Sequence, residues 1–154
     1  QWQEAQEKER IQLDHSSEEH KLGTVGAVAR DQEGNLAAAT STGGVTNKRF
    51  GRVGDTPLIG SGTFAENATC AVSNTGYGED FIRTTLARTV SEHIRYRGMS
   101  AQEAAQAAID YLVETVNGQG GTIVIDHQGN IGSAHSTPHL IHGYATSEKR
   151  EVLT

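Results

Sequence analysis

An α+β fold is what this sequence predicts, on three observations. Short runs rich in Ala, Val, Ile and Thr flank two Asp-x-x-Gly-Asn turns, "DQEGN" and "DHQGN", which marks them as hairpins. A central stretch changes to a four-residue apolar period, which marks helices. The elements come in the order ββ, ββ, αα, ββ, so antiparallel strands are expected with the helices gathered on one side, an α+β sandwich.

Residues 1 to 23 differ from the rest. They are rich in Glu, Gln, Lys and His, with Ile11, Leu13 and Leu22 as the only large apolar side chains after Trp2. The first part reads as the last turns of a helix and "DHSSEEHK" as a mobile linker. From Thr24 the composition changes sharply. "TVGAVARD" and "NLAAATST" read as two strands joined by the first turn. A glycine-rich loop follows, with "GG" at 43 and 44, "GRVGD" at 51 to 55 and Pro57 at its end. Two more strands are expected near "PLIGSGTFA" and "ATCAVSNTG". After Gly78, Ile82, Leu86, Val90 and Ile94 predict one helix that stops at Gly98. Ser100 and Glu103 form a capping-box pattern for a second helix through "AAQAAIDYLVETV", ended by Asn117-Gly118. "GTIVIDHQGNIGSAHS" supplies the last hairpin. The shared turn is weak evidence of internal repetition.

The length of 154 residues suits one domain with a core of its own. Aromatic residues make up 5%, so that core rests on Ala, Val, Ile and Leu. The net charge of −6, without a basic stripe, argues against nucleic acid or an anionic membrane as the main partner. The single cysteine, Cys70, excludes an intramolecular disulfide framework. No apolar run approaches a membrane span and the N-terminus lacks a signal-peptide pattern, so a cytoplasmic location is expected. The chain begins without Met, which points to a processed or truncated protein.

Four local features carry possible chemistry. Gly23-Thr24 stands at the composition break. The plain reading is a flexible junction before a strand; the sharp reading is an autoprocessing site. A glycine lets the backbone take a strained geometry, the Thr24 hydroxyl attacks its carbonyl, and the freed α-amine then serves that hydroxyl as base. Arg52 and Asp55 are either a surface ion pair or a clamp for a zwitterion, guanidinium on carboxylate and carboxylate on ammonium. In "SNTGYGED", Thr75 and Gly76 end a strand ahead of a helix N-terminus, a suitable place for an oxyanion hole. In "TSTGG", counting back through the hairpin turn brings Thr40 to Thr42 alongside Gly23 and Thr24, where a hydroxyl can position a nucleophile.

Other candidates carry less. His135, His139 and His142 lack metal-ligand spacing on a rigid element, and His15 and His20 lie in the linker. Cys70 sits in an apolar strand and reads as a buried structural thiol. Asn67-Ala68-Thr69 matches a glycosylation sequon that we read as chance.

Taken in order, "GTVGAVA", "DQEGNLAAATSTGG", "NKRFGRVGD" and "SNTGYGE" resemble the β-subunit of the plant-type asparaginases, also called isoaspartyl peptidases, among the N-terminal nucleophile hydrolases. The likeness covers Thr24 to about Ile131 and loosens beyond it. It implies a precursor that cuts itself before the threonine, an αββα sandwich, and α and β chains that pair as (αβ)2. By matching motif, Gly23 and Thr24 correspond to the cleavage site and Thr24 to the nucleophile. Thr42 corresponds to the hydroxyl beside it. Arg52 and Asp55 correspond to the residues gripping the substrate's α-carboxylate and α-amino group. Thr75 and Gly76 match the oxyanion pair, and Gly78 lines the same pocket. The substrate implied is asparagine or a β-aspartyl dipeptide, with no cofactor required. The α-subunit, in which relatives carry a sodium-binding loop, is absent apart from its tail at 1 to 23. The remaining 24–154 is the β-subunit catalytic part, which alone would leave a sheet edge and an apolar helix face exposed.

Three other readings stand beside this one. Glycosylasparaginase is the nearest, though "TSTGG" leans toward the asparaginase branch. A non-catalytic fragment that acts only as a structural partner is the second. A nucleotide-binding module is the third, and no strand–GxGxxG–helix unit supports it.

Overall fold

The computed structural model describes residues 2–7 and 23–154. A short helix α1 (Trp2–Glu7) agrees with the helical turns expected at the start. The expected linker, with His15 and His20, lies outside the described residues.

The first hairpin forms as predicted, with β1 (Val25–Arg30) antiparallel to β2 (Leu36–Ser41). Its turn is closed by Asp31, whose Oδ1 accepts from the Asn35 backbone N–H at 2.7 Å and whose Oδ2 accepts from the Asn35 side chain at 2.8 Å. The second Asp-x-x-Gly-Asn turn repeats the device. Asp126 Oδ1 accepts from the Asn130 N–H at 2.8 Å, and its Oδ2 from the Asn130 side chain at 2.9 Å. The same side-chain chemistry closes both turns, which explains the shared motif without any repeat of the fold.

The region expected as one long strand near 57–65 forms only β3 (Thr63–Ala65). Its first part coils instead. Leu58 N–H and Gly62 N–H both donate to the Asp55 carbonyl, at 2.9 and 3.2 Å, and wrap the loop around that residue. β4 (Cys70–Gly76) pairs with β3 on one side and with β5 (Gly120–Asp126) on the other. β6 (Ile131–His135) completes a four-stranded antiparallel sheet in the order β3-β4-β5-β6.

The helix expected from 79 to 97 is two helices, α2 (Gly78–Thr84) and α3 (Leu86–Arg97). Thr85 breaks them, with left-handed φ 45° and ψ 48°, and serves as the C-cap of one and the N-cap of the other. Threonine hydroxyls take over the freed carbonyls. Thr84 Oγ1 donates to Asp80 O at 2.8 Å and Thr89 Oγ1 to Thr84 O at 3.0 Å. The four-residue apolar period runs across the break because both helices face the same core, so periodicity alone does not reveal it. α4 (Ala101–Val116) begins with the predicted capping box, Ser100 and Glu103 each bonding the other's backbone N–H. A hairpin of β7 (His142–Ala145) and β8 (Arg150–Leu153) follows, which the sequence pattern did not indicate.

The helices cover one face of the four-stranded sheet. Val72, Val124 and Cys70 from the strands meet Phe81, Leu86, Val90, Ile109 and Leu112 from the helices in one buried cluster. Each such side chain contributes about 1.5–3 kcal/mol by leaving water. The β1–β2 hairpin lies against the opposite face. A Cβ on Gly26 would stand 2.0 Å from Ser73 Oγ, so only glycine lets β1 approach β4 this closely. Thr40 Oγ1 meets Ser73 Oγ at 2.7 Å and also accepts from Thr63 Oγ1, which pins the end of β2. Helices, sheet and hairpin thus make a mixed α+β architecture in which the N-terminal end of β1 and the C-terminal ends of β2 and β4 converge.

Candidate active site

Thr24 precedes β1, and the hairpin register sets what it faces. Val25 pairs with Ser41, so the next pair outward is Thr24 with Thr42. Thr24 Oγ1 donates to Thr42 Oγ1 at 3.1 Å, and Thr42 Oγ1 also accepts from the Gly44 N–H at 3.0 Å. The glycine pair after Thr42 therefore turns the chain back so that its own amide holds this hydroxyl. The juxtaposition of Thr24 with the 40–42 segment expected from the turn is present.

Thr24 lies on the wall shared by two cavities. One is lined also by Thr42, Arg52, Asp55 and Gly76, and the other by Ser73, Thr75 and Leu140. Thr75 and Gly76 end β4 beside Thr24, one in each cavity. Gly76 has φ 156°, and a Cβ there would meet the Gln119 carbonyl at 2.4 Å and Phe81 Cε2 at 2.5 Å. Gly23 precedes Thr24 and is half-buried. Gly78 does not line either cavity; it packs against Asp55, where a Cβ would stand 2.6 Å from Oδ1. Its role is to leave room for that carboxylate.

Arg52 and Asp55 share the pocket without forming the ion pair that is the plain reading of their spacing. Arg52 pairs with Glu79 instead, Nε to Oε1 at 2.7 Å and Nη2 to Oε2 at 3.0 Å. Asp55 is 7% exposed, and its Oδ2 is buried with no hydrogen-bond partner among the described residues. Burial pushes the Asp55 carboxyl above the usual carboxylate range, against the opposing pull of its backbone N–H and of Arg52. Partial burial raises Glu79 too, but the Arg52 hydrogen bond, its own backbone N–H and the Arg52 charge outweigh it and bring the carboxyl below its ordinary value. A buried carboxylate with one oxygen left without a hydrogen-bond partner, beside a fixed guanidinium, is an arrangement suited to an ammonium and a carboxylate on one small molecule.

The sequence matches the family profile described as Asparaginase over residues 1–154. The chain belongs to the asparaginase family. It is 53% identical over 123 residues to the isoaspartyl peptidase of Salmonella typhimurium, covering 77% of this chain and 39% of the relative. It is 50% identical over 139 residues to the isoaspartyl peptidase of Escherichia coli, covering 86% of this chain and 43% of the relative. The isoaspartyl peptidase/L-asparaginase of Danio rerio is 50% identical over 117 residues, covering 76% of this chain and 37% of the relative. The chain thus spans about two fifths of the length of the curated relatives it matches.

Within this member of the asparaginase family, several of the described residues set aside in the sequence have plain structural roles. Cys70 is fully buried, and burial pushes its thiol up to about 12, so it is not a nucleophile. His135 Nδ1 meets Thr137 O at 2.6 Å, and His142 meets Leu140 O at 2.7 Å and Ser133 Oγ at 3.0 Å. Asn67 Oδ1 accepts from the Leu36 N–H at 2.8 Å and its Nδ2 donates to Asn35, so the amide of the sequon ties two loops together. Among the described residues no group of three His, Cys, Asp or Glu side chains is placed to hold a metal ion. No described helix is long and apolar enough to cross a membrane.

Glu79 is the site residue that sequence reasoning missed. Its signal is faint: a carboxylate following Gly78 in the first turn of a predicted helix reads as an ordinary helix-start acid.

Proposed function

We propose that this chain is the β-subunit, with the tail of the α-subunit, of a threonine-nucleophile amidohydrolase that cleaves L-asparagine and β-aspartyl dipeptides after autoproteolysis between Gly23 and Thr24. The observation that carries the reading is one pocket lined by Thr24, Thr42, Arg52 and Asp55 together. The names of the relatives support the same reaction class.

In this reading the missing portion of the precursor supplies the α-subunit, completes an αββα sandwich and assembles with the β-subunit as (αβ)2. Cleavage frees the Thr24 α-amine, which takes the proton of its own hydroxyl. Before cleavage that nitrogen is an amide and cannot act as a base. Arg52 receives the substrate's α-carboxylate and Asp55 its α-ammonium, which turns the side-chain carbonyl toward Thr24. The Thr24 oxygen attacks, Thr75 and Gly76 stabilise the oxyanion, and ammonia or an amino acid leaves. Water then hydrolyses the aspartyl-threonyl ester. No step needs a metal or cofactor; a sodium loop, as in relatives, would belong to the α-subunit.

The test uses the full-length protein. Mass spectrometry should find a new N-terminus at Thr24, and the purified protein should release amino acid from a β-aspartyl dipeptide and ammonia from asparagine. Thr24→Ala should remain uncut and inactive, and an active Thr24→Ala protein would refute the nucleophile. Activity confined to glycosylated asparagine would assign the chain to the glycosylasparaginases instead.

A further inference from the structure

Arg52 and Asp55 lie three residues apart in one loop, carry opposite charges and face one pocket. Left to themselves they would close on each other, and a zwitterionic substrate would have to break that pair before it could bind. They do not close, because Arg52 is held elsewhere. A guanidinium presents a side edge, Nε with Nη2, and an end edge, Nη1 with Nη2. Glu79 takes the side edge at 2.7 and 3.0 Å. Nη1 stands beside Gly54 and Gly44 in the pocket wall, where a Cβ would come within 3.1 and 3.3 Å of it, so the lack of side chains there leaves the end edge clear. Both glycines have left-handed φ, +77° and +79°, a conformation that disfavours any side chain at these two positions. With 14% exposure for the Arg52 side chain and 38% for Glu79, the pair is partly withdrawn from water and holds a defined geometry.

We propose that Glu79 is a positioning residue for substrate recognition: it holds the side edge of Arg52, keeps the guanidinium off Asp55 and presents the end edge to the substrate's α-carboxylate. The inference rests on the reading of this pocket as a zwitterion site. Glu79 touches no reacting atom and acts through Arg52. Without it, Arg52 and Asp55 satisfy each other, and both halves of the substrate lose their partner.

The test compares the full-length protein with its Glu79→Gln and Glu79→Asp variants on two substrates. One is a β-aspartyl dipeptide; the other is the same dipeptide with the aspartyl α-carboxylate converted to a carboxamide. Glu79→Gln should raise KM for the free-carboxylate substrate by about tenfold while kcat stays within about twofold, and should change the carboxamide substrate much less. Discrimination between the two therefore shrinks. Glu79→Asp, which keeps the charge on a shorter arm, should restore part of it. Equal losses on both substrates would reduce Glu79 to a structural prop and overturn the inference, as would unchanged kinetics. Where Glu79→Gln does not accumulate folded, Glu79→Asp is read by the same criterion, reduced discrimination for the inference and unchanged discrimination against it. A wild type inactive on both dipeptides removes the proposed function and this inference together. An active wild type with indifferent Glu79 variants removes the inference alone.

Discussion

Asp55 occupies the space that a side chain on Gly78 would need: a Cβ there would stand 2.6 Å from Asp55 Oδ1. Gly62 closes the other side, with its Cβ position 2.7 Å from Oδ2. The carboxylate is therefore held in the pocket largely by shape. Gly78→Ala should push Asp55 out of position, destabilise the fold by about 1–3 kcal/mol and raise KM for β-aspartyl substrates. Thermal melting and steady-state kinetics check both effects, and an unshifted KM would show that Asp55 does not need this seat.

The pH response of Asp55 should separate binding from stability. Its folded-state pKa is raised by burial, so the folded protein binds that proton more tightly than the unfolded chain does. Stability lost to the buried charge is fully lost above the raised pKa and is recovered as pH falls through it toward the unfolded value. Substrate binding runs the other way, because a protonated Asp55 cannot pair with an ammonium. KM should rise on acidification over the range in which this contribution to stability recovers. Glu79, with its lowered pKa, adds an opposite trend to stability. The difference between wild type and Asp55→Asn in a pH series of denaturant melts isolates the Asp55 part, and a flat difference would contradict it.

Thr42 meets Thr24 through its hydroxyl while the residue itself is exposed, so its loss should harm chemistry more than folding. Thr42→Val, which keeps the shape and removes the hydroxyl, should lower kcat by about 10- to 100-fold and leave the melting temperature within a few degrees. Thr42→Ser should retain most of the rate. Single-turnover measurements on processed protein distinguish these outcomes from slow product release.

Thr85 is a β-branched residue in the left-handed region, φ 45°, where such residues are disfavoured. Thr85→Gly relieves the crowding and loses only the local bond from its hydroxyl to Thr84 O. It should stabilise the protein by about 0.5–1 kcal/mol without altering kinetics. A lower melting temperature would mean that the threonine contributes more to the junction of α2 and α3 than its strain costs.

What the sequence alone determined was local. Asp31 and Asp126 close turns with residues four positions away, Ser100 and Glu103 cap a helix across three, and the hairpin register then carries Thr42 to Thr24. Each follows from backbone geometry and side-chain reach within one or two neighbouring elements, and so is legible in spacing. The break at Thr85 escaped the apolar period because α2 and α3 bury the same face, and β7 and β8 escaped it because they are only four residues each and the half-buried positions of β7 are His142 and Tyr144, which give no aliphatic alternation to read. Only the tertiary structure decided the partner of Arg52. Glu79 is 27 residues distant and arrives on a helix packed by a core that spacing does not encode. It decided the seat of Asp55 in the same way, since Gly62 and Gly78 approach it from separate elements. Charges three residues apart suggest a pair. Which pair forms depends on what the fold brings within 3 Å.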